Sequence, residues 1–298
     1  MINIYKGLAD ILVKKSPSIA VKFYNRAYRS RGGEKDIELL LDMAITYDEL
    51  GQAALAEEKY HEILNINAGE ARAYYGLGVL ADNHKEYEKA EELYLKALEL
   101  KPDYASAYFF LANIYDETDQ KERAVEYYKK SIELDPCDFW AYNNLGAVYE
   151  EMEKNDLALN MFKKSLEIDP GHYKALFNMG VIMNKIGYRE KAADYYRNSI
   201  ERNSNFPYSY LNLAVIYKED KNYERAVDII SEGIHNNRKV SYLYYNRACI
   251  LVHLDLLHKA LEDLITSVEL SPGLLDYIKD DEELSPVREL EGYRERWG

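Results

Sequence analysis

The sequence is poor in residues that interrupt regular structure and in residues that build disulfide or zinc frameworks. Its 298 residues include 7 prolines, 15 glycines and 2 cysteines. So few prolines and glycines exclude a loop-rich or disordered chain. Cys137 and Cys249 lie far apart in the sequence, which excludes a zinc-type cysteine spacing and a disulfide framework. Two isolated thiols are typical of a reducing compartment.

Long apolar runs and an excess of basic charge are also missing. No segment approaches the roughly 20 apolar residues that a membrane-spanning helix needs, and residues 1–18 lack the apolar core of a secretory signal. The 52 acidic residues outnumber the 38 basic ones, which gives a net charge of −14. Such a charge disfavours binding to nucleic acid and to anionic membranes. We therefore expect a cytoplasmic protein that neither binds nucleic acid nor inserts into a membrane.

The sequence is rich in one feature, an internal period of 34 residues. Pro102, Pro136 and Pro170 are spaced by 34, and Pro272 lies three periods further along. Taking the proline as position 32 divides the chain into seven units, which are 37–70, 71–104, 105–138, 139–172, 173–206, 207–240 and 241–274. Position 20 of these units is always alanine, at Ala56, Ala90, Ala124, Ala158, Ala192, Ala226 and Ala260.

The residue types within a unit predict two helices packed against each other. Positions 4, 7, 8 and 11 follow the i, i+3, i+4, i+7 spacing of one buried helical face. Position 8 is always glycine or alanine, and position 24 is always a large residue. Small residues at positions 8 and 20 let the two helices approach closely, while the large residue at position 24 fills the space between them. Each proline ends the second helix of its unit.

This pattern resembles the tetratricopeptide repeat (TPR) family over residues 37–274. The resemblance implies an all-α fold, a right-handed α-solenoid of about eight helix-turn-helix repeats with a C-terminal capping helix. Residues 1–36 are interpreted as a degenerate eighth repeat that caps the N-terminus. In the capping segment 275–298, we expect a helix over 287–297, and we interpret residues 280–283 as a solvated charged turn rather than a metal site.

No motif predicts catalysis. The six histidines do not pair with serine, cysteine or acidic residues at a motif spacing, and no glycine-rich phosphate loop is present. We therefore expect no enzymatic activity, no cofactor and no metal. A catalytic site assembled from several repeats would not be visible in the sequence.

The resemblance implies that the other face of each first helix lines a concave groove that binds extended peptides. Position 6 is asparagine in four successive units, and an amide can pair with the backbone of any extended segment. Position 2 supplies aromatic rings and one lysine beside these amides, and rings are typical anchors of interfaces. The predicted peptide-binding residues are Asn113, Trp140, Asn144, Lys174, Asn178, Tyr208, Asn212, Tyr242 and Asn246.

Some of these residues also match the family's clamp for a C-terminal carboxylate. Asn113, Asn144 and Lys174 fit that clamp, but Phe109 and Asn178 stand where it carries cations. A carboxylate clamp is therefore disfavoured. A cluster of acidic residues in the N-terminal half of the groove favours partner segments with lysine or arginine, and the rings favour segments that suit aromatic contacts. The cluster consists of Glu38, Asp42 and Glu49.

Two functions remain open at this point. The first is a protein-protein interaction scaffold that holds an extended segment of a partner in its groove. The second is a structural assembly protein that oligomerises, or organises a larger complex, through its ends or its convex surface. The oligomeric state distinguishes the two and does not follow from the sequence.

Overall fold

The 34-residue period corresponds to a regular series of paired helices. The computed structural model describes residues 2–298, which form 19 α-helices and two short 3₁₀ helices, with no strand among them. Residue 1, the first of the predicted segment 1–36, lies outside the described residues. The chain divides into two units, residues 1–148 and 149–298, and the boundary falls inside helix α9.

The first unit contains four helix pairs and most of a ninth helix. Its elements are α1 (Ile2–Leu12), α2 (Pro17–Tyr28), a 3₁₀ turn (Gly33–Lys35), α3 (Ile37–Glu49), α4 (Ala53–Ile66), α5 (Ala71–Asn83), α6 (Tyr87–Leu100), α7 (Ala105–Glu117), α8 (Lys121–Leu134) and α9 (Phe139–Glu151). The helices of each pair pack together, and α2, α4 and α6 each pack on the first helix of the next pair.

The second unit continues with the same arrangement and ends in shorter elements. These are α10 (Asn155–Ile168), α11 (Tyr173–Lys185), α12 (Arg189–Arg202), α13 (Pro207–Glu219), α14 (Tyr223–Asn236), α15 (Ser241–Val252), α16 (Leu257–Leu270), α17 (Leu274–Asp280), a 3₁₀ turn (Glu282–Leu284), α18 (Ser285–Arg288) and α19 (Glu291–Trp297). Helix α12 packs on α13, and α14 packs on α15. Each unit is thus an α-solenoid of TPR-type helix pairs.

The small and large positions of the repeat pack as their sizes require. The alanines at position 20 are fully buried, and so are Tyr94 and Tyr128 at position 24. Gly78 lies so close to Tyr94 that an added Cβ would come within 2.7 Å of the ring. This close approach explains why position 8 is small and why it is glycine in this unit.

A left-handed residue ends the first helix of every pair from α3 onward. The backbone φ is positive at residues spaced by 34, which are Gly51, Lys85, Asp119, Glu153, Gly187, Lys221 and Asp255. A left-handed residue satisfies the last carbonyls of a helix and turns the chain back. Only two of these seven residues are glycine, so the sequence gives little sign of the conformation.

Aspartate side chains begin two of the first helices. Asp36 accepts a hydrogen bond from the backbone N–H of Leu39 at 3.1 Å. Asp138 accepts from the backbone N–H groups of Trp140 at 2.9 Å and Ala141 at 3.3 Å, as expected for an N-cap. The Asp138 cap fixes the start of the helix that carries Trp140 and Asn144.

The last regular pair contains a buried ion pair at a position that is apolar in other repeats. Arg247, at position 7, donates to both carboxylate oxygens of Asp263 at 2.7 Å. Arg247 also donates to the Ser231 hydroxyl at 2.9 Å. The Asp263 side chain is 8% exposed. The unusual arginine therefore has a partner on the second helix of its own pair.

The C-terminal segment covers the last pair but differs from the prediction. The single helix predicted over 287–297 is wrong, since α18 and α19 are separated by Leu290 in an extended conformation. Apolar side chains of this segment nevertheless pack against the final helices. The buried residues are Ile278, Leu284, Val287 and Tyr293, which contact a cluster that includes Ala248, Leu261 and Leu264.

The prediction of a solvated turn at residues 280–283 is also wrong in part. The Asp281 carboxylate accepts a hydrogen bond from the Tyr245 hydroxyl. Glu283 pairs with Lys218 at 2.6 Å and with His253 at 2.5 Å. These contacts attach the segment to α13 and α15, and the sequence could not show them because no repeat relates the segment to those helices.

Candidate functional site

Four of the predicted binding residues lie together on one face of the second unit. Tyr208 and Asn212 are one helical turn apart on α13, and Tyr242 and Asn246 have the same relation on α15. The Tyr208 and Tyr242 rings stack, with centroids 5.7 Å apart and an interplanar angle of 25°. Corresponding side chains of successive repeats are therefore in direct contact on this face.

Both asparagine amides on this face are oriented by their own helices. Nδ2 of Asn212 donates to the backbone oxygen of Tyr208 at 2.9 Å, and Nδ2 of Asn246 donates to that of Tyr242 at 2.8 Å. Both side chains are half-buried. Within residues 2–298, neither amide oxygen receives a hydrogen bond. Each amide therefore offers an acceptor to the N–H group of a ligand.

A row of aromatic rings extends the face along the second unit. Phe206 lies 5.2 Å from Phe177 and 5.3 Å from Tyr208, measured between ring centroids. Tyr208 is 48% exposed. Burial, together with the neighbouring Tyr208, raises the pKa of the Tyr242 hydroxyl above its usual value.

Phe206 is part of this row, although it is not among the predicted residues. It precedes Pro207 at the last position of its unit, outside the helical pattern used for the prediction. The sequence contained a signal, because an aromatic residue, Tyr104, occupies the same position three units earlier. Tyr104 packs on Tyr75 with ring centroids 4.8 Å apart.

Lys174 and Asn178 lie one turn apart on α11, in the same relation as Tyr208 and Asn212 on α13. Lys174 is exposed and Asn178 is half-buried. Helices α11 and α13 are in contact. Lys174 thus places a cation at the helix position that tyrosine occupies in α13 and α15.

The predicted residues of the first unit form a smaller polar network. The Tyr128 hydroxyl and Nδ2 of Asn144 both donate to Oδ1 of Asn113, at 2.5 Å and 3.2 Å. Nδ2 of Asn143 donates to Oδ1 of Asn144 at 3.3 Å. Trp140, one turn before Asn144, is 42% exposed. The two predicted amides are therefore in contact, and an exposed indole lies on the same helix.

An acidic cleft of about 470 Å³ opens beside this network. Its lining includes three carboxylates and one lysine beside the network residues: Asp82, Asp116, Glu117, Lys85, Asn113, Tyr128 and Asn144. Burial, reinforced by the charge of Glu117, raises the pKa of the Asp82 carboxyl. Two carboxylates that repel each other in a partly buried cleft would be stabilised by a cationic side chain.

The acidic cluster predicted near the start of the groove is largely neutralised within the chain. Glu38 pairs with Arg72 at 2.8 Å, and Asp42 pairs with Lys6. Two of the three acidic side chains of this cluster therefore already have a cationic partner within the chain. The sequence could not show these partners, because residues 6 and 72 belong to neighbouring repeats.

No helix within residues 2–298 combines the length and the apolar character needed to cross a bilayer.

Models of the tetratricopeptide repeat match residues 71–104 and 139–172, residues 105–136 and residues 195–228. The last match begins inside α12, the second helix of one predicted unit, and continues through α13 into the start of α14. No curated protein sequence matches the chain.

Several solved structures share the fold. The crystal structure of YrrB, described as a TPR protein with an unusual peptide-binding site, is 24% identical over 62% of this chain and 95% of its own, with a TM-score of 0.51. A chain of the APC/C hetero-tetramer Cut9–Hcn1 is 15% identical over 97% of this chain and 54% of its own, with a TM-score of 0.65. The crystal structure of MamA is 24% identical over 54% of this chain and 95% of its own, with a TM-score of 0.50.

At these identities the solved structures establish the fold alone. The matched repeats and the shared arrangement of helix pairs show that the chain belongs to the tetratricopeptide repeat family.

Proposed function

We propose that this protein is a non-catalytic scaffold of the cytoplasm that binds an extended peptide segment of a partner protein. The peptide lies on the first-helix faces of the repeats, where the asparagines and the rings of position 2 are found. The proposed contacts are made by Asn113, Trp140 and Asn144 in the first unit, and by Lys174, Asn178, Tyr208, Asn212, Tyr242 and Asn246 in the second.

The observation that carries this proposal is the Tyr-Asn arrangement on α13 and α15. Two amides fixed by their own helices offer acceptors beside a stacked pair of tyrosine rings. Fixed amides lose little conformational freedom when they bind a peptide backbone. The rings supply apolar contact area that does not depend on the peptide sequence.

The acidic cleft of the first unit supports a preference for basic segments. Asp82 and Glu117 line it, and no salt bridge joins either carboxylate to a lysine or arginine within the described residues. A lysine or arginine of the partner would relieve their repulsion. The net charge of −14 would also accelerate the approach of a basic partner.

The experiment begins by selecting, from a library of displayed random peptides, a peptide that binds the wild-type protein. Calorimetry then measures its affinity for the double variant Asn212→Ala/Asn246→Ala. We expect binding to weaken roughly tenfold, because a lost hydrogen bond costs about 0.5–1.5 kcal/mol. Circular dichroism should show unchanged helicity, since each amide donates only to its own helix.

Asn198→Ala is the matched control. Asn198 is an exposed asparagine on α12 of the same unit, so its removal should leave the affinity unchanged. Equal affinities of wild type and double variant, with the helicity preserved, would contradict the proposal.

A second function, assembly into a larger complex, is favoured by one observation. Helix α1 exposes Ile4 by 65%, Leu8 by 41% and Ile11 by 74%, and their spacing places them on one helical face. Such a face can pack against another chain. The mass of the protein in solution distinguishes this alternative from the scaffold.

A further inference from the structure

Four side chains that can bind a metal converge where the C-terminal segment meets the last helix pair. Cys249 lies on α15 and His253 directly follows the end of that helix, and Asp281 and Glu283 lie at the start of the second 3₁₀ turn. Ligand atoms of Cys249, Asp281 and Glu283 all lie within 4.8 Å of one another. None of these residues contributes to the proposed peptide contacts.

The distances between these atoms are close to those around a bound ion. Sγ of Cys249 lies 3.8 Å from Oδ2 of Asp281, and Nε2 of His253 lies 2.5 Å from Oε1 of Glu283. Tetrahedral zinc with bonds of about 2.0–2.3 Å separates its ligand atoms by roughly 3.3–3.7 Å. The Cys249–Asp281 pair needs almost no movement, and the His253–Glu283 pair must open by about 1 Å. His253 reaches the other three ligands through Glu283, so its ring must move toward Cys249 and Asp281 to complete the set.

Surrounding residues hold the four side chains in place. The His253 ring stacks on Tyr223 with centroids 4.5 Å apart and an interplanar angle of 4°. The Tyr245 hydroxyl donates to Asp281, and Lys218 lies 2.6 Å from Glu283. Such neighbours orient metal ligands and tune their basicity. Metal sites with these supports need less reorganisation to bind an ion.

The charge of the cluster favours a cation. Asp281 and Glu283 carry two negative charges, and Lys218 supplies one positive charge within 4 Å. Cys249 is only 3% exposed, and its sulfur lies within 4.8 Å of a carboxylate oxygen of Asp281 and of Glu283. A divalent ion would balance the carboxylates and stabilise the thiolate, because a coordinating thiol loses its proton.

The mixture of ligands selects the kind of ion. Thiolate and imidazole ligands suit zinc and neighbouring transition metals, whereas calcium and magnesium prefer oxygen alone. A cleft of about 420 Å³, lined by His253 and Glu283 among others, opens beside the cluster. This cleft provides a path for the ion from solvent.

We propose that Cys249, His253, Asp281 and Glu283 form a binding site for Zn²⁺ that fixes the C-terminal segment to the last helix pair. The ion joins α15 to the 3₁₀ turn, two elements separated by about one repeat in the sequence. Metal binding therefore stabilises the cap of the second unit, and this role is independent of peptide binding.

The test uses Co²⁺ as a spectroscopic substitute for Zn²⁺ on the reduced, full-length protein. We expect one Co²⁺ per chain, with the intense near-ultraviolet absorption that only thiolate ligation gives. Cys249→Ser should abolish this absorption and weaken Zn²⁺ binding at least about 100-fold. Cys137→Ser is the matched control, because Cys137 is the other free cysteine and is exposed; it should behave as wild type.

A second variant keeps the test decisive if Cys249→Ser does not fold. His253→Gln changes a side chain that is 35% exposed, and it should retain the thiolate absorption with at least about tenfold weaker binding. The proposal is overturned if wild-type protein binds no Zn²⁺ at micromolar concentrations. It is equally overturned if Co²⁺ binds without thiolate absorption, or if His253→Gln binds as tightly as wild type.

Discussion

Gly76 shows that position 6 cannot carry a side chain in every repeat. In the unit 71–104 this position is glycine, and a Cβ added there would lie 2.1 Å from the Tyr60 ring. Tyr60 is only 5% exposed, so its ring has little room to move. A side chain at Gly76 is therefore incompatible with the packing of the preceding repeat.

We predict that Gly76→Ala destabilises the protein by about 1–3 kcal/mol, because overpacking forces buried rings to shift. Urea denaturation measures the change in the free energy of unfolding. Gly7→Ala is the control, since Gly7 is also helical but has no atom within 4 Å of an added Cβ. Gly7→Ala should be neutral or stabilising by up to about 1 kcal/mol; equal losses in both variants would contradict the packing argument.

At the scale of helices, the positions of the repeat helices can be predicted from the sequence, whereas those of the C-terminal helices cannot. Helices start at Ile37, Ala71 and each 34th residue after them, because alanine and aromatic residues recur at fixed positions. The C-terminal segment repeats nothing, so its two short helices and its contacts with α13 and α15 could not be predicted. Likewise, an asparagine at position 212 predicts a polar face. Only the structure shows that the Asn212 amide is oriented by its hydrogen bond to the backbone oxygen of Tyr208.

The Arg247–Asp263 pair joins the two helices of the last regular repeat. Arg247→Leu restores the usual apolar residue but leaves Asp263 buried without its partner. We predict a loss of about 3 kcal/mol in the free energy of unfolding, measured by urea denaturation.

The double variant Arg247→Leu/Asp263→Leu provides the control for this prediction. It removes both charges and replaces them with apolar side chains, so its stability should return to within about 1 kcal/mol of wild type. If the double variant loses as much stability as Arg247→Leu, or more, the ion pair itself stabilises the repeat.

At the scale of the whole molecule, the distribution of exposed apolar surface separates the two functions. The last helix pair is covered by Ile278, Leu284, Val287 and Tyr293, which bury apolar surface at this end. The exposed face of α1 consists of three aliphatic residues. Three such side chains cover far less than the roughly 800 Å² per partner of a stable interface.

We therefore predict that the protein is a monomer of 34.7 kDa at micromolar concentrations, as measured by light scattering over a series of dilutions. Ile4→Ser/Ile11→Ser should leave the mass unchanged. A mass that increases with concentration in wild type, and not in this variant, would favour the assembly function.

Site-specific photo-crosslinking tests the central claim, peptide binding on the first-helix face, most directly. A photoreactive phenylalanine derivative replaces Tyr208, which is 48% exposed, or Tyr188, which is 55% exposed and precedes α12. We predict that the selected peptide crosslinks at position 208 and not at position 188. Crosslinking at position 188 alone, or equally at both positions, would contradict it.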